Sequence, residues 1–113
     1  MRKLNLRDYT VKQKVPDQMN PGRMMDAEFP YHFKDSILNL LFIKELQLGG
    51  AELVKQNVLA MKIEQVKDSI LLEEEEYQRI KKAVDVFKGF NRQDVELVTR
   101  INEAETVAVE SKN

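Results

Sequence analysis

Hydrophobic and polar residues alternate one by one in two short segments near the start of the chain. In the first segment, Tyr9, Val11 and Val15 share a side with Gln13, while Thr10, Lys12 and Lys14 occupy the other side. In the second segment, one side carries Met25, Ala27, Phe29 and Tyr31, and the other carries Asp26 and Glu28. A period of two is typical of a half-buried strand, so the pattern predicts two β-strands.

The two segments are suited to pair as a hairpin over residues 8–31. Antiparallel pairing would place Lys12 and Lys14 opposite Asp26 and Glu28, and each such pair contributes about 0.2–1 kcal/mol. The intervening sequence Asn20-Pro21-Gly22-Arg23 favours a type II turn, because proline fixes the first central φ and glycine accepts a positive second φ. The connection is longer than a tight hairpin requires, so we expect its tip to project.

After Pro30 the spacing becomes helical. A first helix, capped by Asp35 or Ser36, would carry Ile37, Leu38, Leu40, Leu41 and Phe42, and Gly49-Gly50 would end this region. A second helix, residues 51–67, would bury a stripe of Val54, Val58 and Met61, widened by Leu53, Ala60 and Ile63. Residues 68–72, "DSILL", fit either a short strand or a buried connector.

Two further helices complete the helical part, residues 35–104. The third carries Tyr77, Ile80, Val84 and Phe87 at spacings of three and four, with Gly89 as its C-cap. The fourth starts at Asn91, with Asp94 as the acidic partner of a capping box, and would bury Val95, Leu97, Val98, Ile101 and Ala104. The tail, residues 105–113, fits either an edge strand or a disordered end.

These elements predict one α+β domain over residues 1–113. An N-terminal β-hairpin precedes about four α-helices packed around a single core. A chain of 113 residues is long enough to bury such a core without disulfides.

Composition narrows the chemistry. The chain has no cysteine, which excludes disulfides, thiolate nucleophiles and cysteine-based metal sites. Eighteen basic and nineteen acidic side chains leave a net charge of −1, so no global charge attracts nucleic acid or an anionic membrane. Neither a membrane-spanning apolar run nor a signal peptide is recognisable, and we expect a soluble, cytoplasmic protein.

No residue pattern indicates catalysis. The acidic run Glu73–Glu76 is better explained as first-turn carboxylates that stabilise the positive end of a helix dipole than as a metal site. His32 lacks a partner at a motif-like spacing, and we expect it to be a junction residue between strand and helix. We therefore predict a non-enzymatic protein with no catalytic residue, metal ligand, cofactor or small-molecule substrate.

The hairpin supplies the candidate contact with other proteins. Methionine side chains adapt to irregular apolar surfaces, and an isolated two-stranded ribbon is only marginally stable. If its apolar face covers the helices, the hairpin is structural; if its edge stays open, it is an arm for assembly. The candidate contact residues are Met19, Arg23, Met24 and Met25 in and beside the loop, and Val11 and Phe29 on the strands.

The last two helices permit an alternative function. Residues 73–104 have the outline of a helix-turn-helix, in which Arg92, Gln93 and Arg100 would contact DNA. The same helix carries Asp94 and Glu96, whose charge would oppose the phosphate backbone. A small DNA-binding regulator is therefore the alternative to a protein-interaction factor, and nucleic acid is the less favoured partner.

Two segments, "LNLRDYTVKQKVPDQMNPGRMMDAEFPYHFKDSILNLLF" and "FKGFNRQDVELVTRINEAE", resemble small proteins that tailed phages and prophages encode among their structural and assembly genes. The resemblance lies in the overall plan and supplies no functional residue. It implies a role in virion morphogenesis, as a tail-assembly chaperone or a minor connector protein. The implied partners are phage structural proteins and further copies of the chain, in the host cytoplasm or in the virion.

Overall fold

The computed structural model describes residues 1–107 and shows an α+β fold. The strands are β1 (Arg2–Asn5), β2 (Tyr9–Pro16), β3 (Met24–Tyr31), β4 (Ser69–Leu72) and β5 (Glu105–Thr106). The helices are α1 (Phe33–Leu40), α2 (Gly50–Glu64), α3 (Glu74–Val86) and α4 (Val95–Asn102). Short 3-10 turns at Lys44–Leu46 and Arg92–Asp94 precede α2 and α4.

The predicted hairpin is confirmed, with the predicted register. Lys12 lies opposite Glu28 and Lys14 opposite Asp26, and the Lys14 Nζ atom is 2.7 Å from Asp26 Oδ1. At the tip, the Arg23 N–H donates to the Asn20 carbonyl at 3.1 Å, and Gly22 has a φ of +88°. Both features fit the expected type II turn.

A second sheet, absent from the sequence-based expectation, joins the two ends of the described chain. Its order is β4-β1-β5, and both pairings are antiparallel. Arg2 lies between Leu72 on one side and Thr106 on the other. Four-residue and two-residue strands are too short to give a clear period, so only the pairing of distant segments defines them. For residues 68–72, the strand alternative is correct.

One hydrophobic core lies between this sheet and the helices. Its fully buried side chains come from every helix and from the sheet: Leu4, Leu6, Phe33, Ile37, Leu41, Ile63, Leu72, Ile80, Leu97 and Ile101. The hairpin contributes only Tyr9 and Tyr31, which are partly buried against the core. The predicted single core is therefore present, but most of the hairpin is not part of it.

The start of α1 differs from the expectation. The helix begins at Phe33, so Asp35 and Ser36 lie inside its first turns. Its cap comes from a distant residue, because Asp8 Oδ1 accepts the Phe33 N–H at 3.1 Å. Gly49-Gly50 also has another role: α1 ends at Leu40, and α2 starts at Gly50.

The predicted stripe of α2 is wrong at Val54, Val58, Met61 and Leu53, although Ala60 and Ile63, which were expected to widen it, are buried. Val54, Val58 and Met61 are 64%, 61% and 50% exposed, and Leu53 is also exposed. The buried residues of this helix are Gln56, Leu59, Ala60 and Ile63. Both faces of α2 carry apolar residues at helical spacing, so the period alone cannot select the buried one. The buried face also holds Gln56, which is tolerated there because its amide donates to the Leu41 carbonyl and accepts from the Arg79 guanidinium.

Around α3 and α4, one cap is confirmed and two predictions are wrong. The Asn91 and Asp94 side chains form the predicted capping box. Gly89 is not a helix cap, since α3 ends at Val86; a Cβ on Gly89 would lie 2.6 Å from the Phe87 ring, which would have to shift to accept it. Val95 is 59% exposed rather than buried.

The remaining predictions for these helices hold, except where they fall on the last residues. Buried or partly buried side chains include Tyr77, Ile80, Val84, Phe87, Leu97, Val98, Ile101 and Ala104. The predicted tail starts with strand β5, which pairs with β1. Its residues 108–113 lie outside the described part of the chain.

Candidate protein-interaction site

Two tyrosines attach the hairpin to the helical body. The rings of Tyr9 and Tyr31, which face each other across β2 and β3, are stacked with centroids 4.4 Å apart. The Tyr9 hydroxyl donates to the Gln93 carbonyl at 2.9 Å, and the Tyr31 hydroxyl donates to Asp94 Oδ1 at 2.5 Å. The base of the hairpin is therefore fixed to the turn that begins α4.

Burial raises the pKa of Tyr31 well above its usual value, and the hydrogen bond to the Asp94 carboxylate raises this pKa further. The hydroxyl therefore stays protonated and donates at neutral pH. Because Asp94 also accepts the Asn91 N–H in the capping box, its carboxylate links the hairpin to the start of α4.

Arg100, proposed from the sequence as a DNA contact, is occupied inside the fold. Its Nη1 donates to the Arg7 carbonyl at 2.6 Å, and its Nε donates to Glu96 Oε2 at 2.7 Å. Its guanidinium also lies over the rings of Phe33 and Tyr9. The side chain is only 15% exposed. These contacts hold the segment before β2 against α4, and they would be lost if Arg100 turned towards DNA.

The other two candidate DNA contacts lie beside the hairpin. Gln93 accepts the Tyr9 hydroxyl with its backbone carbonyl, and its N–H donates to the Asn91 side chain. Arg92 and Gln93 both line a groove that separates α4 from β2. This arrangement directs the start of α4 towards the hairpin instead of leaving it clear for a DNA major groove.

Beyond its base, the hairpin is open to solvent. β2 and β3 contact chiefly each other, and the molecule measures 65 × 34 × 22 Å. At the tip and beside it, Met19 is 87% exposed, Met24 58% and Met25 47%, and Arg23 is exposed as well. Val11 and Phe29 pair across the strands nearer the base, half-buried and 40% exposed respectively. The structure thus brings the candidate protein contacts together on one projecting element.

The direction of the backbone groups follows from the register. The Asp17 N–H donates to the Arg23 carbonyl, and the same register pairs Pro16 with Met24. Asp17 and Arg23 therefore form a hydrogen-bonded pair, and such pairs alternate with non-bonded pairs along an antiparallel ladder. The even-numbered residues of both strands fall in the non-bonded pairs, so they direct their backbone groups outwards. Pro16 and Pro30 both occupy such positions, where a missing N–H leaves the ladder intact.

The even-numbered, outward-directed positions carry opposite charges on the two open edges. On β2 the outward positions are Thr10, Lys12 and Lys14; on β3 they include Asp26 and Glu28. The hydrogen bond from Lys14 lowers the pKa of Asp26, which is ionised at neutral pH. One edge of the hairpin is therefore basic and the other acidic.

A groove of about 630 Å³ runs along the basic edge. One wall consists of four consecutive residues of β2, Tyr9 to Lys12, with no residue of β3. The other wall comes from α4 and the preceding turn, where Val95, Glu96 and Thr99 face the strand. The exposure of Val95 adds an apolar surface to a groove whose rim is charged.

The remaining candidate residues have structural roles. In the acidic run, Glu74 binds Arg2, and Glu76 binds Lys62 at 2.7 Å while accepting the Glu73 N–H. His32 is the junction residue that its position indicated, with its Nδ1 atom 3.0 Å from Asp8 Oδ2. Within residues 1–107, no group of three or more acidic or histidine side chains is arranged to hold a metal ion.

Sequence reasoning missed the residues that fix the hairpin in place. Asp8, Tyr31, Asp94 and Arg100 act through partners 24 to 95 positions away along the chain. The capping box identified Asp94 but not its second partner, and the sequence singled out Arg100 only as a DNA contact. Such contacts require the tertiary fold, because no spacing rule relates the residues that make them.

Comparisons of the chain with protein-family models, with curated proteins and with solved structures find no match. In the part of the chain that the structure describes, none of the helices combines the length and apolar character needed to cross a membrane.

Proposed function

We propose that this protein is a non-enzymatic interaction factor that assembles with other proteins, including copies of itself, through its projecting hairpin. The observation that carries the proposal is an isolated two-stranded ribbon with two open edges and a methionine-bearing tip. Such a ribbon is marginally stable alone and gains from completion by another surface. Open edges and exposed apolar side chains are features that monomeric proteins usually suppress.

The resemblance to proteins from the assembly genes of tailed phages suggests the setting of this activity. In virion morphogenesis, a tail-assembly chaperone or a minor connector protein acts by binding structural proteins. A projecting arm on a small, well-packed body suits such a role, because the body keeps its fold while the arm engages the partner.

The test is the absolute mass in solution, measured by light scattering after size-exclusion chromatography over a range of concentrations. We expect the wild-type chain to form a defined oligomer. A variant with Met19, Met24 and Met25 all changed to Gln should be monomeric and should keep the circular dichroism spectrum of the folded wild-type chain, since these side chains are exposed.

The matched control changes Val54 and Val58 to Gln, because these residues are equally exposed but lie on α2. This control should retain the wild-type mass. A wild-type chain that is monomeric at every concentration would exclude self-association. An oligomer that survives the methionine changes but is lost in the α2 control would move the contact from the hairpin to α2.

The alternative function, DNA binding by α3 and α4, receives less support. Arg100 is engaged by backbone carbonyls and aromatic rings, and the turn that begins α4 supports the hairpin.

A further inference from the structure

We propose that the basic edge of the hairpin, formed by Thr10, Lys12 and Lys14, accepts an extended strand of a different protein in which acidic and apolar residues alternate. The strand would lie in the groove between β2 and α4, antiparallel to β2. This inference rests on the proposed function and names the class of partner that one edge of the hairpin recognises.

The backbone of β2 has groups at this edge that an added strand could bond. The register directs the N–H and carbonyl groups of Thr10, Lys12 and Lys14 away from β3. Within residues 1–107, none of the backbone hydrogen bonds of loops and turns involves these three residues. An added strand would satisfy them through main-chain bonds, which supply affinity independent of sequence.

The side chains beside this edge determine which strand fits. Directly opposed residues in an antiparallel pair point to the same face of the sheet. The residue opposite Lys12 would thus meet one ammonium group, and the residue opposite Lys14 would meet another that also binds Asp26 at 2.7 Å, so both residues should be acidic. The residue between them would share the face of Val11 and should be apolar, because Val11 and the exposed Val95 both line the groove.

A second copy of this chain is not suited to pair along this edge, for reasons of charge and of space, so we assign self-association to the methionine-bearing tip. With its body at the opposite end, an antiparallel copy would pair β2 with β2, and the register centred on Gln13 would oppose Lys12 to Lys14 of the other copy. Like charges directly opposite each other are destabilising. The acidic β3 edge meets the same objection when it pairs with itself.

The oppositely charged edges of two copies cannot meet with matched faces either. If two copies lay side by side in the same orientation, β2 of one would pair correctly with β3 of the other. The two hairpins would then be offset by only two strands, about 10 Å. The molecule is 34 × 22 Å across its two shorter dimensions, so the bodies would collide. Parallel pairing removes the collision but turns one hairpin over, placing its apolar face beside the lysines. The edge therefore favours a strand from another protein.

The probe is a capped heptapeptide in which valine and glutamate alternate, titrated into the full chain and followed by backbone amide NMR. We expect shifts and slowed hydrogen exchange at Thr10, Lys12 and Lys14, with shifts at Val95 and Thr99. The corresponding valine–lysine peptide should bind about tenfold more weakly, since it converts two favourable charge pairs into two repulsive ones.

Charge reversal provides the matched variants. Lys12→Glu with Lys14→Glu should reverse the preference and favour the lysine peptide. Lys55→Glu with Lys82→Glu makes the same change of net charge on α2 and α3, and should leave the preference unchanged. If this control reverses the preference as well, net charge and not the edge selects the peptide, and the inference fails.

Other outcomes also have defined meanings. Equal affinity for the two peptides, shifts confined to the α2 face, or no binding would each overturn the inference. Shifts of the Thr10, Lys12 and Lys14 amides with protein concentration alone would show that a second copy occupies the edge. The proposed function is tested by a different measurement, the oligomeric mass and its dependence on the methionines. Either proposal can therefore fail while the other stands.

Discussion

The molecule contains two antiparallel sheets of opposite character. The sheet β4-β1-β5 has only short strands, yet helices cover it, and Leu4, Ile70 and Leu72 are buried on it. The hairpin β2-β3 has strands of eight residues each, but only its base is buried. Strand length therefore does not decide which sheet supports the fold. Burial of one face does, because burial supplies the hydrophobic stabilisation.

The difference also separates two kinds of expected effect. Removing a side chain from the covered sheet should destabilise the protein, while changes along the open hairpin should, under the proposed function, alter what the protein binds. The link between the two regions is the stacked pair Tyr9 and Tyr31, with Asp94 as the hydrogen-bond acceptor on the body.

The largest effect is expected in the covered sheet. Leu72→Ala should lower the free energy of unfolding by about 2–5 kcal/mol, because it leaves a cavity in a fully buried site. Urea unfolding followed by circular dichroism measures this change. Phe29→Ala on the hairpin is the comparison and should cost less than about 1 kcal/mol, since Phe29 is 40% exposed. Equal losses would mean that the hairpin belongs to the cooperative core.

An intermediate effect is expected at the junction, as a dependence on pH. The pKa of Tyr31 is raised in the folded state above the ordinary value of 10.0. Its contribution to stability is therefore complete below pH 10 and decreases as the pH rises through the folded-state pKa. The free energy of unfolding should fall by at most about 1.4 kcal/mol per pH unit in this range. Solvent screening reduces this value, because the side chain is only partly buried.

Urea unfolding at pH 9 and pH 11 tests this dependence against the variant Tyr31→Phe, which lacks the titrating hydroxyl but keeps the ring. The wild-type chain should lose more stability than the variant between the two pH values. Identical losses would show that the hydroxyl of Tyr31 does not titrate differently in the folded and unfolded states.

The smallest effect is expected on the open strands. Lys14→Glu opposes two carboxylates across the hairpin and should cost at most about 1 kcal/mol of local stability. Amide hydrogen exchange in β2 and β3 should accelerate, while exchange in α3 stays unchanged. Combining Lys14→Glu with Asp26→Lys restores opposite charges and should restore slow exchange in the hairpin. Faster exchange throughout the protein would contradict the separation of the two regions.

Several elements could be predicted from local sequence alone. The hairpin register followed from charge alternation, the tip turn from Pro21-Gly22, and the start of the fourth helical segment from Asn91 and Asp94. The candidate contact residues on the hairpin could also be named in advance. Each of these features depends on residues that are neighbours in sequence or that pair through one short connection, so local rules apply to them.

The sequence by itself therefore determined the α+β class, the hairpin and most of the helices. Only the tertiary structure decided which apolar surfaces are buried, as the two faces of α2 show: the face with Leu59, Ala60 and Ile63 packs inside, where Leu41 and Arg79 complete the hydrogen bonds of Gln56. It also decided that distant strands pair with β1, that Asp8 caps α1 and that Arg100 braces the segment before β2. These outcomes depend on contacts between residues far apart in the chain, which periodicity does not encode.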